Sequence, residues 1–308
     1  MPTSACRNLF PAWPAVALRR RDFAAWAITL ICVVSFHALE ARAEASAERV
    51  VSLAPSLTAI LVTLGAGDLL VGIDEVSARQ QPALAQRVRV VGGLFNPSLE
   101  GVVALEPDLV VFVPSAEQRN FQQRLSAVGI ATEAFSNLRF EDVLENIERL
   151  GRLAGREPAA RERIDAIRAV RAQLEASNRA VETPRVVMVL QRDPLFVVGG
   201  GSFIDEMIAI AGARNLAAEL GDAYPRASIE WLVAAAPEVL IDMDASHEPA
   251  PAYWGRWPAL GARGRIVHLD PSLVTLPGPH LDRAMQRLAA ALHPKAPFER
   301  GAPPASAR

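Results

Sequence analysis

The sequence predicts an α/β protein of two Rossmann-like lobes with mostly parallel sheets, joined by one long α-helix, and three observations predict it. One stretch is written twice: Ser98-Leu99-Glu100-Gly101-Val102-Val103-Ala104-Leu105-Glu106-Pro107-Asp108-Leu109-Val110-Val111 returns as Ser228-Ile229-Glu230-Trp231-Leu232-Val233-Ala234-Ala235-Ala236-Pro237-Glu238-Val239-Leu240-Ile241. The register extends upstream, where Arg49-Val50-Val51 opens the first copy and Arg185-Val186-Val187 the second. Between the copies lies a long stretch of helical periodicity. Two copies are too few for a solenoid, which needs about three stacked repeats to bury its core. They suit two lobes that face each other across a cleft, the natural place for function.

The elements follow in chain order. Residues 1–43 read as a cleaved export signal: Arg19, Arg20 and Arg21 precede an apolar run from Ala24 to Leu39, and Ala41-Arg42-Ala43 supplies the small residues a signal peptidase needs. The run is shorter than the ~20 residues of a spanning helix. Arg20-Arg21-Asp22-Phe23 also fits the core of a twin-arginine signal, with Arg19 where a serine or threonine is usual, so both export routes stay open.

The first lobe is expected over residues 48–139. Short β-branched runs at Val50–Leu53, Leu69–Ile73, Val88–Val91 and Leu109–Val113 alternate with helices near Ser56–Leu64, Ser98–Leu105 and Glu117–Val128, which is βαβ patterning. Residues 140–180 are expected to connect the lobes. Phe140, Val143, Leu144, Ile147 and Leu150 form one apolar stripe; a second helix follows Gly155, with Pro158 in its first turn and Ile164, Ile167, Val170 and Leu174 at helical spacing. About 20 residues at 1.5 Å each give a rod of roughly 30 Å, a stiff connector. The second lobe is expected over 184–293, with strands at Val186–Leu190, Val239–Asp242 and Arg265–Leu269 and a last helix carrying Leu281, Met285, Leu288 and Leu292 on one face. The proline- and alanine-rich residues 294–308 read as a disordered tail.

Composition excludes several functions. The leader takes five arginines and two acids with it, leaving 27 basic against 32 acidic groups, the wrong balance for a nucleic-acid partner. It also takes both cysteines, Cys6 and Cys32, so the remaining chain has no disulfide and depends on buried apolar area. Ile31 is too large for the residue before a lipidated cysteine. Gly199-Gly200-Gly201-Ser202 fails as a nucleophile elbow, because Ile204 stands where glycine is required, and reads as a flexible loop. Gly65-Ala66-Gly67 lacks the third glycine of a dinucleotide fingerprint. His247, His268, His280 and His293 show no metal-ligand spacing, so neither a dedicated metal site nor a catalytic set is expected.

What remains is a pair of carboxylates. Glu100 and Glu230 occupy equivalent repeat positions, each in the first turn of a helix behind Ser98 or Ser228. A local reading is stabilisation by the helix dipole, worth about 0.3–1 kcal/mol. A functional reading is two negative charges on one surface, suited to a partner with paired arginines.

With the leader, the repeat, the connecting helix and Pro55-Ser56-Leu57-Thr58 assembled, the chain resembles the periplasmic substrate-binding proteins of ABC importers for cobalamin, ferric siderophores or haem, the helical-backbone class. The resemblance covers about residues 48–293. It rests on Arg49-Val50-Val51-Ser52-Leu53-Ala54-Pro55-Ser56, Leu64-Gly65-Ala66-Gly67, Val91-Gly92-Gly93, Asn96-Pro97-Ser98-Leu99-Glu100, Ala104-Leu105-Glu106-Pro107-Asp108-Leu109-Val110 and Ala211-Gly212-Ala213-Arg214-Asn215. Ala59 departs from it, standing where members often carry glutamate. The resemblance implies a monomeric periplasmic receptor, not an enzyme, whose Glu100 and Glu230 engage arginines of a permease that works with an ATPase.

The expected ligand is cobalamin or a related corrinoid, with a ferric siderophore or haem as the alternative and a two-lobed metal-handling enzyme as the rival of another class. Haem-binding members usually offer a tyrosine just upstream of the first-lobe glutamate, where this chain has Gly92-Gly93-Leu94-Phe95-Asn96. An axial bond would then fall to Tyr224, Tyr253, His247 or His280. A corrinoid arrives with its metal enclosed and needs apolar walls and hydrogen bonds only. Pro277-Gly278-Pro279-His280 and Tyr224-Pro225 resemble the corresponding turns of cobalamin-binding members. Candidate lining residues are Pro55, Ser56, Gly93, Leu94, Phe95, Gln191, Arg192, Phe196, Ser202, Tyr224, Trp254 and His280, with Phe196, Trp231, Trp254 and Trp257 equally suited to lobe core.

Overall fold

Side chains alternate across a strand, and in both halves of this chain both faces of the sheet are buried. The computed structural model describes residues 46–294 except 115, 180 and 247, so the expected export signal (1–43) and the expected tail, apart from Pro294, lie outside the described residues. In the first lobe β1 (Val50–Ser52), β2 (Leu70–Ile73), β3 (Arg89–Val90), β4 (Leu109–Phe112) and β5 (Ala131–Ala134) form one parallel sheet in the order β3-β2-β1-β4-β5. Helices α1 (Pro55–Thr63), α2 (Glu75–Gln80), α3 (Pro82–Ala85), α4 (Leu99–Val103) and α5 (Ala116–Ala127) link the strands. Val50, Leu109 and Val111 face one core, while Val51, Val110 and Phe112 face a second with Phe121 and Leu125 of α5.

Two helices follow, α6 (Phe140–Leu153) and α7 (Glu157–Asn178). The apolar stripe of α6 is its buried face, with Phe140, Val143 and Ile147 at 0 % exposure. The 22 residues of α7 span about 33 Å.

The second lobe holds β6 (Arg185–Gln191), β7 (Phe196–Val197), β8 (Arg214–Asn215), β9 (Val239–Asp242) and β10 (Arg265–His268), in the order β10-β9-β6-β7 with β8 beside the start of β6. Only β7 runs antiparallel. Its helices are α8 (Phe203–Ile210), α9 (Ile229–Ala235), α10 (Ala250–Trp254), α11 (Pro258–Arg263), α12 (Pro271–Val274) and α13 (Leu281–Leu292). Val186, Met188, Val239 and Ile241 join the same core as Val50 and Val111, through α6, α7, α8 and α13; Val187, Val189 and Leu240 face a separate outer core. One apolar core therefore runs from sheet to sheet through the connecting helices, while the two sheets stay separate. Among the described residues no helix is long and apolar enough to cross a membrane.

The repeat extends to hydrogen bonding. The backbone N–H of Arg49 donates to Asp108 Oδ2 at 3.0 Å, and that of Arg185 to Glu238 Oε2 at 2.7 Å. The guanidinium of Arg49 reaches the carbonyls of Leu105 and Glu106, and that of Arg185 the carbonyl of Ala236. Glu106 and Ala236, each before a proline, share left-handed backbone with φ of 46° and 47°. An L-residue held there costs about 1–2 kcal/mol, which glycine avoids. Ala236→Gly is expected to stabilise the protein by about 1 kcal/mol, raising the thermal midpoint by ~2–4 °C in calorimetry.

Candidate functional site

In a parallel α/β sheet a crevice opens outside the carboxyl ends of the strands where the strand order reverses, because neighbouring connections leave to opposite faces. In the first lobe that point lies between β1 and β4, and a cavity of about 230 Å³ opens there. Leu53, Ala54, Pro55 and Ser56 follow β1, and Val113 and Pro114 follow β4. Leu94 and Phe95 enter from the loop after β3, and Asn137 from the segment after β5. Leu276, after α12 of the second lobe, completes the wall. No side chain caps the first turn of α1, which begins at this cavity.

The loop after β3 is shaped by its glycines. Gly92 has φ of +113°, closed to other residues, and a Cβ on Gly93 would lie 2.6 Å from Asn96 Oδ1. Folded back on Asn96 and Pro97, the loop leaves Phe95 70 % exposed, a large apolar ring offered to whatever enters.

The corresponding point of the second lobe, between β6 and β9, is filled. Arg192 is 5 % exposed and places Nη2 at 2.6 Å and Nε at 3.1 Å from Asp242 Oδ2, while its Nη1 donates to Ser246 Oγ and the Glu248 carbonyl. The indole N–H of Trp254 donates to the same Asp242 oxygen at 2.8 Å, and the Arg192 guanidinium lies over the Tyr253 ring at 4.7 Å. Burial pushes the Asp244 carboxyl up, but hydrogen bonds from Ser246 and the Arg192 backbone, with the Arg192 charge, outweigh it and hold the group below the ordinary carboxylate value. A buried pair of this kind survives desolvation only when its remaining polar atoms are satisfied, as they are here.

Pro55, Ser56, Leu94 and Phe95 are thus brought together at the cavity, and Gly93 lies in the same loop. Trp254 and Arg192 are placed elsewhere, inside the second lobe, where each is buried and bound to Asp242, Trp254 as the last residue of α10. Ser202 is fully buried, accepting the Asp205 N–H as the cap of α8. Gln191 is exposed and donates to the Asp193 carbonyl, and Phe196 is half-buried in β7. Tyr224 is 38 % exposed; burial raises its phenol above the ordinary value against a hydrogen bond from Ser202. His280 stands before α13, held below the ordinary imidazole value by partial burial and by Arg283 and Arg163, against Asp282. His247 lies outside the described residues.

A Cβ on Gly199 would meet the Asp222 carbonyl at 2.0 Å and one on Gly200 the Ala218 carbonyl at 2.5 Å, so residues 218–222 pack directly on the backbone of both glycines. Leu53, Ala54, Val113, Pro114, Asn137 and Leu276 are lining residues that pattern reading missed; all but Leu276 sit just past strand ends, where the crevice rule could have found them.

Glu100 and Glu230 are both exposed, each the second residue of its helix. Ser98 accepts the Gly101 N–H at 3.0 Å and Ser228 the Trp231 N–H at 3.2 Å. The Glu230 carboxyl is held below its ordinary value by its own backbone N–H and by Ser228.

Residues 50–251 match the family model described as periplasmic binding protein. The chain belongs to the periplasmic binding protein family. A cobalamin-binding protein of Halobacterium salinarum is 31 % identical to this family member over 80 % of the chain and 69 % of its own length. A vitamin B12-binding protein of Vibrio campbellii is 30 % identical over 71 % of the chain and 80 % of its own length. Among solved structures, a periplasmic heme-binding protein from Pseudomonas aeruginosa is 30 % identical with a TM-score of 0.68, covering 81 % of this chain and 94 % of that one. The two-lobed α/β architecture is that of the family.

Breaking a buried ion pair strands one charge. In this periplasmic binding protein Asp242→Ala is expected to cost about 3–5 kcal/mol in chemical unfolding, while Arg256→Ala, in an exposed pair with Glu248, changes stability by less than about 1 kcal/mol.

Proposed function

We propose that this periplasmic binding protein is an exported receptor that holds a cobalamin-like corrinoid between its lobes and presents it to a permease and ATPase of an ABC importer, making and breaking no covalent bond. The observation that carries the reading is the character of the cavity. Its described walls are apolar, with Ser56 and Asn137 as the polar side chains, and none is a tyrosine, histidine, cysteine or methionine. Such walls suit a metal already enclosed by its own ligands. The uncapped first turn of α1 adds backbone N–H donors for amide oxygens at a corrinoid's rim. A hollow of about 230 Å³ takes one edge of a macrocycle, with Phe95 laid against its face. The naming of two relatives for vitamin B12 or cobalamin points the same way.

A second reading, haem or a ferric siderophore, draws on the similarity to the Pseudomonas aeruginosa heme-binding structure. Tyr224 is the exposed phenol it would use, and a raised phenol value works against an iron-bound phenolate. Titration with cyanocobalamin, haemin and a ferric hydroxamate, followed by calorimetry, separates the readings: saturable binding of the corrinoid alone is expected, and binding of haemin alone overturns it. Burying a phenylalanine is worth about 1.5–3 kcal/mol, so Phe95→Ala is expected to weaken cyanocobalamin ~10–100-fold with the thermal midpoint unchanged.

Glu100 and Glu230 are proposed as the permease contacts. Their duplication on two rigidly spaced lobes and their exposure fit a partner with paired arginines. The double variant Glu100→Lys with Glu230→Lys is expected to abolish uptake in cells while ligand affinity stays within twofold of wild type; equal loss of both would remove the docking role.

A further inference from the structure

Beneath the cavity a chain of oxygens runs through the first lobe. Ser52, Thr58, Asp74 and Ser77 are all 3 % exposed or less. Ser52 Oγ and Thr58 Oγ1 lie 2.8 Å apart, Thr58 Oγ1 and Ser77 Oγ 2.9 Å apart, and Ser77 Oγ bonds Asp74 Oδ2. Ser52 Oγ also lies 3.3 Å from the Ala54 carbonyl. Asp74 Oδ1 accepts the backbone N–H groups of Val76 at 2.8 Å and Ser77 at 2.9 Å.

The four side chains are thereby linked end to end, from the Asp74 carboxyl through the hydroxyls of Ser77 and Thr58 to that of Ser52, which reaches the Ala54 carbonyl. The chain ends where the cavity begins, since Ser52 is the last residue of β1 and residues 53–56 floor the cavity.

The other end is tied to the opposite wall. The Asp74 N–H donates to the Ser52 carbonyl at 3.2 Å, and the next N–H, of Glu75, donates to the Gly92 carbonyl at 2.9 Å, at the start of the loop that carries Leu94 and Phe95. We propose that Asp74 is a positioning residue of the cleft, which through Ser77, Thr58 and Ser52 holds segments 53–56 and 92–95 in fixed register, so that floor and wall meet the ligand preformed. A buried hydrogen-bond network of this kind rigidifies what it spans. As a mere cap of α2, Asp74 would need neither Thr58 nor Ser52. The proposal builds on the receptor reading above, but its geometry stands without any particular ligand.

The test compares Thr58→Val, which removes the middle hydroxyl and keeps the α2 cap, with Thr58→Ser, which restores it, and with Leu232→Ala, a truncation in the separate outer core of the second lobe. In amide hydrogen exchange of the ligand-free protein, normalised to α7, Thr58→Val is expected to exchange at least tenfold faster over both 53–57 and 92–96, with Thr58→Ser and Leu232→Ala within twofold of wild type there. Cyanocobalamin is expected to bind about tenfold more weakly to Thr58→Val and normally to Thr58→Ser. Ser77→Ala breaks the next link and gives the same reading should Thr58→Val not fold. Exchange over 92–96 that is no faster in Thr58→Val than in Leu232→Ala, or equal in Thr58→Val and Thr58→Ser, overturns the proposal. Wild-type protein that ignores cyanocobalamin while the exchange pattern holds removes the ligand reading alone and leaves the positioning role supported.

Discussion

The continuous apolar seam along α6 and α7 is the constraint on which everything else depends. Each sheet has one face covered by its own lobe's helices and one face that meets the shared core; without Phe140, Ile147, Ile167 and Leu288 those second faces would stand in water. At about 1.5–3 kcal/mol for each large side chain buried, the seam outweighs any surface pairing between the lobes. Cysteine occurs only at positions 6 and 32, so no disulfide supports residues 46–294. Stiffness and stability therefore have the same source.

The two halves share a topology and diverge where it matters. Phe112 ends β4 in the first lobe, and the repeat register puts Asp242 at the same place in β9. That one difference draws in Arg192 and Trp254 and closes the second crevice with charge, while the first stays open and apolar. The repeated scaffold is thus asymmetric: the first lobe holds the hollow, and the second contributes Leu276 to its wall.

Much of the fold was legible in the sequence, because βαβ units and a 14-residue echo leave strong periodic signals. The α6 stripe and the extent of α7 follow directly from apolar spacing. Short elements escaped: β5 is polar and half-exposed, and β7 has two residues in a hairpin with β6. The site divides the same way. Pro55, Ser56, Leu94 and Phe95, expected from motif positions at strand ends, lie together at the first-lobe cavity. Arg192 and Trp254 look like cleft residues in one dimension, since a cation and an indole suit a chelate, and only the fold reveals the carboxylate each one serves. Asp74, Ser77 and Ser52 are small polar residues whose partners lie up to 22 positions away, with no periodicity to announce them.

The core that passes from one sheet to the other also bears on inheritance. Although the chain repeats itself, neither copy is a module that recombination could lift out whole, since each leaves half its sheet uncovered without the struts between. An exchange of one half between relatives must carry α6 and α7 along, and must also preserve Asn178, whose amide fastens the end of α7 to the Ile210 carbonyl, beside the glycine at 212 that leaves room for it. The packing obliges the two halves to travel together.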